Sequence, residues 1–446
     1  MAIKHVGSVI VSLSVILTAC GGNPTQDTIT LKVWGPQQEQ SFLFDAAMRY
    51  QEANPQLDIE FDIASVSEVE LKGFLTLDIP NGADVFSFLD DQLPSLVRAG
   101  GLAKVQEFKT DVTTRNLPWT VDVASFENEL YAYPYTADNG IYMFYDKRYI
   151  TEAEMGSLDT ILAKAQSLNS KINMDQMGGW GMTSWFIPEN TLAWDGETQT
   201  ITWNSQDGIE AAQAMLTYYA TNLMIDTNAL IPTLFLENNA GRIESGIIAA
   251  VSGYWQAPDI TNILGEHMGT IKMPTYRNPA GETHQFGSMV GARLVGVNPF
   301  SKAPGAAHAF ANWLTSEVNQ TIKGKQLKIA PSNLASIADP DIQLIGPIQA
   351  LTAQGAYGLP QAKAVSSYFW TPADAFAKAL INEAKGIDAK VQAVVNAAIQ
   401  NGTLNGNDPN AVQQFKSEEK LRQLQLSYAK IPGWLATLET SVKAVN

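Results

Sequence analysis

The sequence predicts an α/β protein with a parallel sheet, and its first segments carry the prediction. Residues Thr28–Gly35 alternate apolar and polar side chains, as a half-buried strand does. Residues Ser41–Gln56 have the apolar spacing of an amphipathic helix and end at an Asn-Pro turn. Residues Leu57–Ile63 alternate again. A strand, a helix and a strand in this order form a βαβ unit, which implies parallel strands.

The rest of the chain continues this mixture of strands and helices. The predicted strands are Ala83–Asp91, two runs within Glu129–Ile150, Ala249–Tyr254, Gly269–Met273 and Ala292–Val297. The predicted helices are Thr160–Ser170, Gln206–Thr221, Thr233–Ala240, Ala306–Leu314 and Thr371–Val395. A helical appendix follows an Asn- and Gly-rich stretch within 401–446. The apolar positions expected to dock it on the body are Val412, Phe415, Leu421, Leu424 and Leu426.

Length and composition set the size of the protein and exclude some partners. The chain has 446 residues, which is enough for two or three domains, and 45% are hydrophobic against 17% charged. This balance is typical of a globular protein with a large core. The net charge of −16 argues against nucleic acid or an anionic membrane face as a partner, because both attract Lys and Arg. The 10 Trp and 14 Tyr could stack on the C–H faces of sugars.

The N-terminus carries the features of a bacterial lipoprotein signal. Residues Val6–Leu17 form an apolar stretch that is too short to span a bilayer. The order Leu-Thr-Ala-Cys then matches the lipobox pattern and ends at Cys20, the single cysteine of the chain. We expect a signal peptide at 1–19, a diacylglycerol on the Cys20 sulfur and a solvated tether at 20–28. Without a second cysteine no disulfide can form, so the core must supply stability.

The sequence contains no motif of a catalytic or cofactor site. Phosphate-binding glycine loops, a nucleophile elbow, H-E-x-x-H and paired C-x-x-C motifs do not occur. The four His are far apart, so neither a metal site nor a cofactor is expected. Asp90 and Asp91 are adjacent, and neighbouring strand residues point to opposite sides, which suits the facing acids of a glycosidase poorly. The protein is not predicted to be an enzyme, although a surface glycan-degrading enzyme with distant acids stays an alternative.

Five segments in a characteristic order carry a resemblance to a known family. They read LKVWG, NGADVFSFLDDQLPSLVRAGGL, LYAYPYTADNGIYMFYDKR, GIIAAVSGYWQAPDI and VGVNPFSKAPGAAHAFANWLTSE. Together with the lipobox, they resemble the extracellular solute-binding proteins of ABC importers, in particular the maltose/maltodextrin-binding group. The likeness covers residues 29–400 or thereabouts and leaves the tail unmatched.

The resemblance implies a periplasmic-binding-protein-like fold, in which two α/β lobes joined by a hinge enclose a ligand groove. It places lobe one at 29–136 plus 288–335 and lobe two at 137–287 plus 336–446. The chain is then expected to cross between the lobes near Tyr135–Gly140, His284–Val290 and Ile329–Asp339.

By the same resemblance, aromatic side chains in the groove stack on sugar faces. Trp255 matches a stacking tryptophan, with Tyr254 in place of the family's proline. A core residue that closes the strand is the alternative for Trp255. Trp370 matches the tryptophan that precedes a late helix, and Tyr368 or Phe369 could take its role. The resemblance therefore implies an oligosaccharide ligand.

The resemblance also assigns a polar and aromatic set from the first lobe. Asp91 matches the family's groove aspartate, and Phe88 matches the aromatic residue that precedes it. Gln92 takes the place of the family's arginine, which puts the identity of the sugar in question. Asp91 could instead cap the helix that follows it.

Further contacts are implied at the hinge and after the first strand. Asp138 or Asn139 matches a glutamate that contacts sugar, although an Asx-Gly turn explains these residues equally well. Trp185 lies near the family's sugar-stacking tyrosine, and Gln38 and Glu39 lie where the family has polar contacts. Trp180 and Trp194 have no assigned role. The tryptophans assigned to the core or to packing are Trp34, Trp119, Trp203, Trp313 and Trp434.

The function that the resemblance implies is capture and delivery, without chemistry. The protein would be a monomeric, lipid-anchored receptor on the extracellular face of the membrane, or in the periplasm of a Gram-negative cell. It would bind maltose/maltodextrin-type α-glucan oligosaccharides and pass them to the permease subunits of an ABC importer. The alternatives are a fructo-, xylo- or galacto-oligosaccharide ligand, and a surface adhesin that works without a permease.

Overall fold

The computed structural model describes residues 28–443, except 175, 188, 196–197, 226–233, 236–245 and 367. The predicted signal peptide, the lipidation of Cys20 and nearly all of the tether 20–28 lie outside the described residues. Most of the predicted helix Thr233–Ala240 also lies outside them. In the part of the chain that the structure describes, no helix combines the length and the apolar character needed to cross a bilayer.

A five-stranded sheet forms the centre of lobe one. Strand Ile29–Gly35 pairs in parallel with Ile59–Ser65 and with Val85–Leu89, so the predicted βαβ unit is confirmed. Its alternating residues Leu31 and Val33 are buried, which explains the apolar period of two. The order across the sheet is Ile59–Ser65, Ile29–Gly35, Val85–Leu89, Arg293–Val297 and Ala132–Pro134. The fourth of these strands runs antiparallel to both neighbours, because the chain returns there from lobe two.

A seven-stranded sheet forms the centre of lobe two. Strand Asn139–Asp146 lies in its middle and is buried along nearly its whole length, as is Ile247–Gly253 beside it. The order is Met224–Ile225, Lys171–Asn173, Ile247–Gly253, Asn139–Asp146, Ser288–Gly291 and Gly358–Pro360. Strand Met268–Ile271 also pairs with Asn139–Asp146. Three short hairpins are Ser125–Phe126 with Glu129–Leu130, Leu192–Trp194 with Gln199–Ile201, and Thr275–Arg277 with Thr283–Gln285.

Helices cover both sheets, and prolines or polar caps begin several of them. Pro304 stands in the first turn of one helix, and the side chains of Asn333, Asp339 and Asp408 accept backbone N–H groups at the start of others. The helices of lobe one are Gln40–Ala53, Leu71–Leu77, Leu93–Arg98, Lys109–Arg115, Pro118–Val123, Pro304–Leu314 and Glu317–Leu327. The later and intervening helices are Leu158–Ser167, Gly179–Met182, Gln206–Tyr219, Ala257–Leu264, Leu334–Ile337, Pro340–Gln343, Gly346–Gly355, Gln361–Ala364, Trp370–Gln400, Pro409–Tyr428 and Ile431–Lys443.

The two sheets have separate hydrophobic cores, and the chain crosses between them. One core joins residues between Leu31 and Tyr135 with residues between Ala292 and Leu314. The first crossing follows strand Ala132–Pro134, as predicted. The second crossing lies at Ala292 and not within His284–Val290, because strand Ser288–Gly291 still pairs in the sheet of lobe two. The predicted start of the returning segment of lobe one at 288 is therefore a few residues early.

The C-terminal tail docks on lobe two through part of the predicted apolar set. Helix Pro409–Tyr428 packs with Val412, Phe415 and Leu424 against the core of lobe two. Leu421 and Leu426 do not dock: their exposed fractions are 62% and 50%. The prediction for these two is wrong because their side chains lie on the solvent-facing side of the helix.

Candidate functional site

The largest cavity beside the interlobe junction has a volume of about 480 Å³ and is lined by the strand ends of lobe two. Two of its walls are the indole rings of Trp180 and Trp255, and Asn139 and Ser252 supply polar groups. Its remaining lining residues are Ile141, Met174, Gly178, Gly181, Val251 and Gly253. An aromatic and apolar cavity with a few polar groups is the usual form of a small-molecule site.

Trp255 stands at the tip that follows strand Ile247–Gly253. A Cβ placed on Gly253 would lie 2.1 Å from the Trp255 ring, so the indole rests directly on the glycine backbone. Larger residues at 253 would push the ring away. The Trp255 side chain keeps an exposed fraction of 55%, in agreement with the predicted loop tip rather than a core residue. Its role as a ligand contact stays a prediction.

Trp180, which the sequence left unassigned, forms the second aromatic wall. It lies in the short helix Gly179–Met182, and its ring centroid is 5.9 Å from that of Trp255, with the ring planes inclined at 55°. Its Nε1 donates to Oε1 of Gln361 over 2.9 Å, which fixes the orientation of the ring. The glycines around it in the run GGWGM were the available sequence signal, since they leave room beside a large ring.

A second cavity of about 250 Å³ is bordered by both lobes. Asp91, from lobe one, faces Trp194 and Trp370, from lobe two, across it. Trp370 is the first residue of helix Trp370–Gln400 and packs partly against the core, which is the place predicted for it at a helix mouth. Gln361 also lines this cavity, so its hydrogen bond to Trp180 links it to the larger one.

A third cavity, of about 180 Å³, lies in the seam between the lobes and contains Asp90. Trp194 borders it as well as the second cavity. Burial, together with the neighbouring charge of Asp91, raises the pKa of Asp90 to about 8, against the backbone N–H groups that lower it. The Asp90 carboxyl is therefore protonated at neutral pH.

Five charged residues, four of them buried, gather between the sheet of lobe one and the crossing segments. We call them the hinge charge cluster: Glu39, Glu68, Asp138, Arg293 and Lys323. Arg293 binds Glu39, and its Nη2 lies 2.6 Å from Oδ2 of Asp138. The Lys323 ammonium lies 2.8 Å from Oε2 of Glu39. The Asp138–Arg293 ion pair therefore joins the first crossing to the start of the lobe-one strand that follows the second crossing.

Burial and the charges of the other members shift the pKa values within the hinge charge cluster. Burial alone would raise the pKa of Glu39, but Lys323 and Arg293 outweigh it and lower the value to about 2. Burial lowers the pKa of Lys323 to about 8, opposed by Glu39. Burial raises the pKa of Glu68, and its Oε1 has no hydrogen-bond partner among the described residues. Buried charges arranged like this depend on one another, so removing one leaves its partners unpaired.

Three predicted ligand residues occupy buried positions, and a fourth, Asp138, is ion-paired at a partly exposed one. Phe88 and Trp185 are fully buried in the cores of lobe one and lobe two, where Trp185 also hydrogen-bonds Gln176. They pack and do not face the groove. Glu39 is completely buried and held by Arg293, so it acts in the hinge charge cluster. Asp138 is paired with the same guanidinium but keeps 15% of its side chain exposed, so its contact with a ligand stays a prediction.

The other predicted residues have accessible positions. Gln38 is exposed in the turn after the first strand, and Asp91 is exposed at the second cavity. Asn139 lines the largest cavity, so of the predicted pair it is the residue that faces open space. Its amide lies against Gly291, where a Cβ would come within 2.6 Å of Nδ2. Their contacts with a ligand stay predictions.

The comparisons with known proteins agree with this architecture. Residues 45–345 match the family model described as bacterial extracellular solute-binding protein. No curated protein matches the chain. Many solved structures do, and three examples show how similar they are.

A maltodextrin-binding protein from L. casei BL23, solved without ligand, is 18% identical, with a TM-score of 0.67 over 91% of this chain and 99% of that one. An extracellular solute-binding protein from Staphylococcus aureus, solved with maltose, is 15% identical, with a TM-score of 0.66 over 89% and 98%. The GacH receptor of Streptomyces glaucescens, solved unliganded and with acarbose, is 14% identical, with a TM-score of 0.62 over 89% and 99%.

These likenesses establish the two-lobe fold over nearly the whole described chain. The family match covers well over half of the sequence. The chain belongs to the bacterial extracellular solute-binding proteins.

Proposed function

We propose that this chain is the substrate-binding lipoprotein of a carbohydrate ABC importer and captures maltose/maltodextrin-type α-glucan oligosaccharides between its lobes. The observation that carries the proposal is the pair of inclined indole rings, Trp180 and Trp255, which wall a cavity of about 480 Å³. The solved relatives with maltose and acarbose support the same ligand class.

The physical argument rests on the shape of a pyranose. Its faces carry C–H groups and its rim carries hydroxyls, so a site needs aromatic rings for the faces and polar groups for the rim. The rings of Trp255, Trp180 and Trp370 supply faces, and Asn139 and Asp91 supply polar partners on opposite sides of the junction. The arrangement extends over two linked cavities, which suits an oligosaccharide better than a single sugar.

Delivery follows from the two-lobe architecture. A ligand that touches both lobes favours their closed arrangement in proportion to its extra contacts there. The closed lobes would then present one combined surface to the permease subunits, the proposed partner. The protein performs no chemistry in this scheme and acts as a monomer outside the cytoplasm.

The proposed anchor is the lipid on Cys20, which would hold the protein at the outer face of the membrane. A Cys20→Ala variant is expected to lose incorporation of a labelled fatty acid and to keep ligand affinity, because the residues of the proposed site all lie much further along the chain. Label that persists on the variant would contradict the anchor.

The test of the ligand is calorimetric titration of the soluble fragment from Gly21 onward with maltotriose. A panel of unrelated trisaccharides serves as the control. We expect saturable heat with maltotriose and none with the others. Slow release of reducing sugar from intact maltotriose would instead identify an enzyme, and no binding by any sugar would reject the groove assignment.

One observation favours a second candidate, a receptor for a fructo-, xylo- or galacto-oligosaccharide. Gln92, which replaces the family's arginine, is buried, and its Nε2 donates to the carbonyl of Glu68 over 2.7 Å. It therefore cannot supply the charged contact that the resemblance implies at this position. Heat from one of these sugars, without heat from maltotriose, would select this candidate.

A further inference from the structure

Asp90 has the properties of a ligand contact, although neither the family resemblance nor the proposed function uses it. It ends the strand Val85–Leu89 and begins a short turn, at the edge of the sheet of lobe one that faces lobe two. The cavity that it borders is closed on the other side by Trp194, Ala362 and Lys363. The residue is thus enclosed by both lobes.

The Asp90 carboxyl is buried, and one of its oxygens lacks a hydrogen-bond partner among the described residues. Its exposed fraction is 3%, and Oδ2 has no hydrogen-bond partner among the described residues. Oδ1 lies against Gly291, beside the amide of Asn139. An unpaired buried carboxyl oxygen is costly, so one is expected to persist where a ligand or water completes it.

We propose that Asp90 is a ligand-contacting residue, and that the seam cavity it shares with Trp194 receives a hydroxyl at the end of the bound oligosaccharide. This proposal rests on the proposed function, because it needs an uncharged, hydroxyl-rich ligand. A protonated carboxyl donates one hydrogen bond and accepts another, and a sugar hydroxyl does the same. The two groups are therefore complementary.

Burial, more than the surrounding charges, keeps the Asp90 carboxyl neutral. The charged groups that face the cavity from other elements are Glu127, Asp195 and Lys363, and Asp91 adjoins it on the same turn. The Lys363 ammonium is already engaged, 3.2 Å from the carbonyl of Ser125. Arg293, next to the crossing at Ala292, is held in the hinge charge cluster. With a pKa of about 8, the carboxyl keeps its proton at neutral pH and donates a hydrogen bond to the ligand.

Asp91 differs from Asp90 in its exposure and in its surroundings. It is exposed, it borders the second cavity, and the Lys72 charge opposes the rise that burial gives to its pKa. Asp91 therefore suits a contact at the mouth of the site. Asp90 suits a contact at its inner end.

The experiment compares full-length wild type, Asp90→Asn and Asp90→Leu, purified in detergent and titrated with maltotriose from about pH 6 to about pH 9.5. Asparagine also donates and accepts, whereas leucine does neither at nearly the same size. Asp62→Asn, at an exposed position on strand Ile59–Ser65, is the control for a lost acidic charge. Thermal unfolding of each variant shows that it is folded.

We expect Asp90→Leu to lose about tenfold in affinity at neutral pH, the scale of one hydrogen bond in a dry site. Asp90→Asn should recover most of that loss. The affinity of wild type and of Asp62→Asn should fall above about pH 8 as Asp90 ionises, and that of Asp90→Asn should not.

Two results would overturn the inference about Asp90, and both can be distinguished from a failure of the proposed function. If folded Asp90→Leu binds as tightly as wild type, Asp90 does not touch the ligand. If Asp90→Asn keeps the same alkaline loss as wild type, another group titrates. If wild type itself binds no oligosaccharide, the proposed function fails and the assignment of Asp90 falls with it.

Discussion

The two lobes meet at the groove with different side chains. Lobe one brings buried acids and the cations that pair with them, in the hinge charge cluster and at Asp90. Lobe two brings indole rings, at Trp180, Trp194 and Trp255. The comparison separates two tasks, because charges of this kind hold a fixed geometry while aromatic faces are free to meet a ligand.

The different side chains of the two lobes follow from the free energies of burying a charge and of exposing an aromatic ring. A carboxylate taken out of water needs partners that are already in place, so it belongs where the backbone is rigid and the crossings converge. An indole keeps much of its area buried and still presents one face to solvent at little cost. Lobe one therefore contributes charges that are held by partners, and lobe two contributes aromatic ring faces.

The largest effect is expected from breaking the hinge charge cluster. Glu39→Ala would leave Arg293 and Lys323 buried without their shared acid, and we expect a loss of about 3–5 kcal/mol in the free energy of unfolding. Urea unfolding of the variant against wild type measures it. Glu60→Ala, at an exposed position on the second strand, is the matched control and should change stability by under about 0.5 kcal/mol. A small effect at Glu39 would mean that the cluster is not the rigid element of lobe one.

The acid dependence of stability tests the same cluster without changing its shape. The pKa of Glu39 is lowered from 4.5 to about 2, so its stabilising contribution is complete above pH 4.5 and is lost as the pH falls to 2. The expected loss is about 3 kcal/mol over that range. It should be missing in Glu39→Gln, which carries no ionisable group there. Parallel acid slopes for the two proteins would contradict the lowered pKa.

The sequence predicted the strands and helices of both lobes. Of the groove residues, it predicted part of the aromatic set but not the hinge charge cluster. Periods of two and of 3.6 are properties of neighbouring residues, so strand Ile29–Gly35 and helix Gln206–Tyr219 could be read directly. Trp255 could be placed because a strand end and a proline enclose it. Trp194 could not, because its cavity is completed by lobe one.

The hinge charge cluster could not be predicted from patterns of neighbouring residues. Glu39 and Arg293 are 254 positions apart, and Lys323 lies still further along the chain. Nothing in the sequence near Glu39 shows that cations will surround it, and a polar run after a strand resembles a ligand loop. The predictions for Phe88 and Trp185 were wrong because an aromatic residue near a motif can face the core as easily as the groove, and both face the core.

A smaller effect, on affinity and not on stability, is expected from the aromatic side. Trp255→Ala should weaken oligosaccharide binding by about 1–3 kcal/mol, because it removes one indole face from the cavity. Calorimetry measures the affinity, and thermal unfolding should change little because the ring is half exposed. Trp434→Ala, in the C-terminal helix, is the control and should leave affinity unchanged. Unchanged affinity for Trp255→Ala would remove this residue from the site.

The smallest effect is expected where the Lys363 side chain of lobe two reaches the backbone of lobe one across the seam. Lys363 lies 3.2 Å from the carbonyl of Ser125 and 3.9 Å from Asp122, and its side chain is 37% exposed. An exposed contact of this kind contributes under about 1 kcal/mol, so Lys363→Ala should weaken binding by less than about fivefold.

The control for this prediction is Lys378→Ala, which removes an equally long cation from the exposed face of helix Trp370–Gln400. Raising the salt concentration should shrink the difference between Lys363→Ala and wild type, since solvent screens the Asp122 pair. A loss of tenfold or more that resists salt would show that the seam helps to hold the lobes closed. The division between a charged lobe and an aromatic lobe would then have to include the cation that joins them.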